Sequence, residues 1–190
     1  MIKIAICGGI GSGKSTVSRI LRDLGAFVVS ADEINAKLLV DPEYVKKIEN
    51  IFPSVVHNNQ INKKELAKIV FQDEKSRAAL TNLAHPIIFR EMLSAAEGQK
   101  IAFFEIPLFS KCKIEFDYVW FVSADLERRI DAIVARDGRT RDFAMKLLRL
   151  QFDEERLVGR ADLVLHNDFD FEELRTCVKS AYYSILKQFL

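Results

Sequence analysis

Residues 8–15 read Gly-Gly-Ile-Gly-Ser-Gly-Lys-Ser, directly after the apolar run 2–7 and directly before an amphipathic stretch. The pattern G-x-x-x-x-G-K-[ST] at such a junction calls for a buried first strand, a tight glycine turn and a helix whose N-terminus faces an anion. Glycines let the backbone wrap closely around a phosphate chain with several N–H groups turned inward. In this pattern Lys14 reaches the β- and γ-phosphates and the Ser15 hydroxyl sits on Mg²⁺. The nucleotide-binding candidates are therefore Gly9, Gly11, Ser12, Gly13, Lys14, Ser15 and Thr16. An idle glycine-rich turn is the alternative, and the flanking strand and helix weigh against it.

The chain of 190 residues is long enough for one domain with a sizeable core, and 49% hydrophobic with 29% charged residues is the balance of a globular protein. A net charge of +1 gives no reason to expect a broad nucleic-acid or membrane-binding surface. No apolar stretch approaches the roughly 20 residues that span a bilayer. The first apolar run lacks a basic lead and a cleavage site, so it reads as a strand and not as a signal peptide. Cys7, Cys112 and Cys177 are odd in number and widely spaced, which fits reduced thiols and a cytoplasmic location. The oligomeric state stays open between a monomer and a weak homo-oligomer.

Strand and helix patterns alternate along the chain. Helical spacing covers 15–24, ended by Gly25, and a short strand is expected at 26–29. Residues 33–39 read as a helix capped by Asp32 or Ser30, and Asp41-Pro42 opens another. Residues 51–60 read as irregular, 63–71 as a helix, and 74–96 as a helical stretch that Pro86 should break or kink. The near-continuous apolar runs 101–106 and 118–122 suit strands buried on both faces of a parallel sheet. Two helices follow, marked by Leu126, Ile130 and Ile133 and by Phe143 and Leu147, then a strand at 163–165 and a closing helix. Five strands alternating with helices predict an α/β fold with a parallel sheet and right-handed crossovers.

A phosphate loop alone does not separate kinases from GTPases, motors and switches. A GTPase would need D-x-x-G after the loop, and the chain has none. A small-molecule kinase needs a carboxylate after the second strand, an acceptor pocket and an arginine-rich lid. Asp32 follows the second strand, where the ligands of open parallel sheets bind, and it could accept the proton of an attacking hydroxyl. It could equally be a plain helix cap. Glu105 ends the third apolar strand, either in the shell of Mg²⁺ or in a buried salt bridge. The segment 136–141 carries Arg136, Arg139 and Arg141 around Gly138, either as a lid over the transferring phosphoryl group or as a solvated polar loop.

These residues, with His85-Pro86, Pro107-Leu108, Gln151, Ala161-Asp162 and Asn167, make the whole chain similar to the dephospho-CoA kinase family. The resemblance implies phosphorylation of the ribose 3′-hydroxyl of dephospho-CoA by ATP and Mg²⁺, the last step of coenzyme A synthesis. It implies a three-layer P-loop kinase fold with a central five-stranded parallel sheet and a single domain. The core would be 1–40 and 97–190, with a helical acceptor-binding insert at about 41–96 and a lid at about 136–145. Catalysis would then fall to Lys14, Asp32 and Arg136, with Ser15 and Glu105 on the metal. Arg139 and Asn167 would join the nucleotide side, and Asp32, Lys63, His85, Pro86 and Leu108 the acceptor side.

The chain departs from the family pattern at several positions. Ser30 stands where an aspartate is frequent, Lys63 where an arginine is usual, and Lys111 where an acidic residue is frequent. Ala132 replaces an arginine one turn before Arg136, with Arg128 and Arg129 one turn earlier, and Leu157 replaces a basic residue beside Arg156. Lysine keeps the charge of arginine but loses its bidentate fork. Two other readings stay open: a kinase of the same architecture acting on another hydroxyl or a nucleoside monophosphate, and a nucleotide-binding regulatory or scaffold protein.

Overall fold

The computed structural model describes residues 1–107, 109, 112–149, 158–168 and 170–189. The chain divides into two compact units, one of Met1–Val29 with Ala96–Leu190 and one of Ser30–Ala95. The second unit begins at Ser30 and ends at Ala95. Among the described residues there are eight α-helices and seven strands.

In the first unit, β1 (Ile2–Gly8) is the middle strand of a five-stranded sheet. With β2 (Val28–Ser30), β5 (Ile101–Glu105), β6 (Tyr118–Ser123) and β7 (Leu163–His166), the order is β2-β5-β1-β6-β7. Parallel pairing sets Ile6 opposite Glu105 on β5 and opposite Trp120 on β6. The short β2 is three residues, shifted toward Ser30 from the expected 26–29. The β1 sequence is apolar at every position from Ile4 to Cys7 because both faces of the strand are covered.

One face of the sheet packs against α1 (Lys14–Asp23) and α8 (Phe171–Phe189), the last described helix, in a single apolar cluster. Ile4, Ile6, Phe103 and Trp120 come from the sheet, Val17, Ile20 and Leu21 from α1, and Leu174, Val178 and Ile185 from α8. Burying each such aliphatic side chain is worth roughly 1.5–3 kcal/mol. The spacing of Val17, Ile20 and Leu21 is the helical period that the sequence shows. Gly25, at φ 88°, ends that helix as expected, with its N–H donating 2.9 Å to the Arg22 carbonyl. A second cluster joins α6 (Leu126–Asp137) to α7 (Arg141–Arg149) through Ile130, Ile133 and Ala144, with Ile10 packed against it.

The second unit holds α2 (Ala31–Leu38), α3 (Pro42–Ile51), α4 (Lys63–Gln72) and α5 (Glu74–Ala95). Asp41 caps α3, its carboxylate accepting 2.9 Å from the Tyr44 N–H, and Pro42 takes the first helical position. Two expectations are corrected here. Residues 51–60 are not irregular throughout: a 3₁₀ turn (Pro53–Val55) leads into a small hairpin, β3 (Val56–His57) with β4 (Gln60–Ile61). Asn58 and Asn59 turn it at φ 51° and 59°, the two positive values that a type I′ turn requires. Of the expected break or kink at Pro86, the break does not occur, because α5 runs unbroken through it for 22 residues. A proline inside a helix costs about 3 kcal/mol or more. Packing of Ala84, Ile88, Phe89 and Met92, buried on the same helix, outweighs that cost, as α5 lies along both α2 and α4.

Candidate active site

The carboxyl end of β1 leads through residues 9–13 into the first turn of α1, so the glycine pattern lies at the strand-to-helix turn. Gly11 and Gly13 have φ 75° and 95°, conformations that other residues adopt only under strain. Neither has room for a side chain. A Cβ on Gly11 would lie 2.6 Å from the Arg129 carbonyl oxygen, and one on Gly13 would run into the Asn167 amide nitrogen. Gly13 is the N-cap of α1 and brings no side-chain bond, and no acidic residue stands in the first turn. The positive end of the helix is thus left to an external anion.

Lys14 Nζ donates to the Gly8 carbonyl at 3.0 Å and to the Gly9 carbonyl at 2.8 Å, so the ammonium lies along the loop. The Ser12 hydroxyl is buried and has no hydrogen-bond partner among the described residues. An orphaned buried hydroxyl in a cradle closed to any Cβ fits a phosphate chain as the missing partner. Cys7, the residue before the turn, is a poor nucleophile: burial pushes its thiol up to about 12, against the opposing charge of Lys14.

Two residues from distant parts of the chain support the loop. Asn167 Nδ2 donates 2.9 Å to the Ser12 carbonyl, and Arg129 Nε donates 2.9 Å to the Ile10 carbonyl. Asn167 is a sequence-predicted member of the nucleotide side. Arg129 is not, and no local pattern marks it, since the bond spans 119 residues.

Ser15 and Thr16 occupy the first turn of α1, with Ser15 exposed. Glu105 is buried at the carboxyl end of β5, beside β1. Among the described residues no three His, Cys, Asp or Glu side chains converge on one point. A Mg²⁺ held by Ser15 and Glu105 would therefore draw its other ligands from phosphates and water, its usual mode at triphosphates.

The arginine segment is built differently. Arg136, in the last turn of α6, donates through Nε and a terminal nitrogen to the carboxylate of Asp137, at 2.7 and 2.9 Å. That bond, with help from the charges of Arg136 and Arg139, holds the Asp137 carboxyl below the usual carboxylate range. Gly138, at φ 60°, then caps α6. Arg139 lies over the Phe143 ring at 5.6 Å, and Arg141 bonds both oxygens of Glu127 at 2.6 Å. All three arginines are exposed.

In the second unit, Asp32 is exposed in the first turn of α2, and the N-cap is Ser30, so Asp32 is not the cap. Lys63 is the exposed first residue of α4, after the cap Asn62. His85 is half-buried on α5 with its ring 5.3 Å from that of Phe89, and Pro86 is exposed beside it. Leu108, a predicted acceptor contact, lies outside the described residues, as do Lys111, Gln151, Arg156 and Leu157.

The family model described as dephospho-CoA kinase matches residues 2–173 of the chain. A dephospho-CoA kinase of Chlorobaculum tepidum is 34% identical, across 96% of this chain and 94% of its own. The crystal structure of TT1252 from Thermus thermophilus, 34% identical, superposes with a TM-score of 0.81 over 96% of this chain and 97% of that one. Dephospho-CoA kinase from Campylobacter jejuni, 27% identical, gives 0.66 over 96% of each.

Proposed function

The chain belongs to the dephospho-CoA kinase family, which phosphorylates dephospho-CoA to coenzyme A with ATP, and from that premise we propose how its residues divide the work. The observation that carries the reading is the glycine cradle at the end of β1, with its helix N-terminus, its orphaned Ser12 hydroxyl and Lys14 along its rim. Gly9, Gly11, Ser12, Gly13 and Thr16 bind the triphosphate through the loop and the first turn of α1, with Asn167 behind them. Lys14 leaves its two loop carbonyls and neutralises the charge on the β- and γ-phosphates. Mg²⁺, when bound by Ser15 and Glu105, supplies charge neutralisation at the phosphate oxygens.

Phosphoryl transfer is direct and in line. The 3′-hydroxyl oxygen of dephospho-CoA forms its bond to the γ-phosphorus as the bond to the ADP oxygen breaks, and the hydroxyl proton passes to Asp32. Asp32 follows the carboxyl end of β2 by two residues, the position at which open parallel sheets present groups to ligands. Arg136 leaves Asp137 to stabilise the transferring group, and Arg139 joins the nucleotide. Lys63, His85 and Pro86 of the helical second unit, with Leu108 from outside it, shape the acceptor side. Among the described residues no helix is long and apolar enough to cross a membrane, and Cys7, Cys112 and Cys177 are free; we place the enzyme in the cytoplasm.

The test is ADP release from Mg-ATP with dephospho-CoA, with AMP, and with no acceptor. Coenzyme A formed in step with ADP only in the first case is the expected result. Stimulation by AMP instead would make the protein a nucleoside monophosphate kinase. Asp32→Asn should keep ATP affinity while lowering kcat by roughly 10²-fold, the lower end of general-base contributions. Turnover at the wild-type rate would remove Asp32 from the mechanism.

A further inference from the structure

The carbonyls of Ile10 and Ser12 flank Gly11 and accept side-chain donors, Arg129 Nε at 2.9 Å and Asn167 Nδ2 at 2.9 Å. In a planar trans peptide the N–H points opposite to the C=O. Pinning the Ile10 carbonyl therefore aims the N–H of Gly11, and pinning the Ser12 carbonyl aims the N–H of Gly13. Both peptides lead into glycines at positive φ, where the chain has the most freedom to flip. A flipped peptide would present an oxygen to a phosphate in place of a donor.

The two donors are themselves tied together. The Asn167 N–H donates 2.8 Å to the Ser123 carbonyl at the end of β6. Asp168 accepts 2.6 Å from the Asp125 N–H at the start of α6, and its carbonyl accepts 3.4 Å from Arg128. The loop, the first turn of α6 and the exit of β7 are thus cross-linked into one frame, with Gly11 seated against the Arg129 backbone.

We propose that Arg129 and Asn167 are positioning residues that fix two peptide planes of the phosphate loop, so that the Gly11 and Gly13 N–H groups face the nucleotide phosphates. The proposal rests on reading residues 8–15 as the ATP site. A loop that is only partly in its binding shape lowers apparent affinity by the fraction that is competent. Because ground state and transition state use the same N–H groups, the loss falls on ATP binding and not on the bound chemistry.

The experiment measures kcat and KM for both substrates, and the Mg-ATP dissociation constant by calorimetry, in wild type, Arg129→Ala, Arg129→Lys and Asn167→Asp. Melting temperatures confirm that each variant is folded, and Asn167→Asp is nearly isosteric. We expect ATP KM and the dissociation constant to rise roughly three- to tenfold in Arg129→Ala and Asn167→Asp, with kcat and dephospho-CoA KM within about twofold of wild type. Arg129→Lys, which keeps a donor, should recover part of the loss. Unchanged ATP affinity in folded Arg129→Ala and Asn167→Asp overturns the proposal. So does a fall in kcat at constant ATP affinity, which would put Arg129 on the reacting phosphoryl group. A wild-type protein that binds Mg-ATP but ignores dephospho-CoA would defeat only the acceptor reading, because the calorimetric comparison still tests the brace.

Discussion

The phosphate loop and the arginine segment both collect positive charge, which we propose serves phosphates, yet they are held in opposite ways. In the loop the geometry belongs to the backbone, fixed by glycines with no room for a Cβ and by bonds from residues 119 and 155 positions away. In the segment it belongs to side chains, each engaged nearby: Arg136 with the adjacent Asp137, Arg139 with Phe143, Arg141 with Glu127 on the same helix pair. The difference teaches what each can contribute. Apart from Lys14, the loop offers backbone donors that need no rearrangement, the condition under which dipoles stabilise charge best. In the function we propose, the segment must exchange existing partners for phosphate, so its contribution would arise during closure and appear in turnover more than in affinity.

Mutations can break this contrast at either end. Lys14→Ala should have the largest effect, a loss on the order of 10³-fold in kcat/KM read from ADP release, because it removes the one side-chain charge of the loop. Gly11→Ala comes next. Its methyl would meet the Arg129 carbonyl at 2.6 Å, and the strained φ adds about 1–2 kcal/mol, so ATP KM should rise and the melting temperature should fall together. Arg136→Ala should lower kcat about tenfold while leaving ATP KM nearly constant, the mark of a group recruited after binding. If ATP KM rose instead, the segment would be a binding element and the contrast would fail.

The smallest effect concerns pH. The Asp137 carboxyl lies below the usual carboxylate range, so its pair with Arg136 adds its full stability above that range and loses it as the pH falls through the lowered value. With Arg136 62% and Asp137 26% exposed, screening limits the pair to about 0.5 kcal/mol. Asp137→Asn should therefore narrow the gap between melting temperatures at neutral and acid pH only slightly. A wide gap that vanished in the variant would show the segment to be far more rigid than its exposure implies.

What could be read from the chain follows the same division. The loop, its strand and its helix were legible because glycine at fixed offsets has a local steric cause, visible at Gly11 and Gly13. The parallel sheet was legible because strands buried on both faces are apolar at every position, as from Ile4 to Cys7. The break expected at Pro86 did not occur because a local cost was outweighed by packing of α5 against α2 and α4, which no short window contains. The hairpin at Val56–His57 and Gln60–Ile61 was missed because two-residue strands have no period, although the pair Asn58-Asn59 was a usable turn signal. Arg129 was noted in the sequence only as an arginine near Ala132, and its bond to Ile10 had no signal, being made only by the fold.

Cys7 gives the molecule a clock. Its strand is paired on both sides, and burial pushes its thiol up to about 12, which leaves it protonated at neutral pH. An alkylating reagent can therefore modify Cys7 only as fast as the centre of the sheet opens. Cys177, exposed on α8, reacts from the start and calibrates the reagent in the same tube. The ratio of the two labelling rates reports the opening of the strand that carries the phosphate loop, and saturating Mg-ATP should slow the first rate and leave the second unchanged.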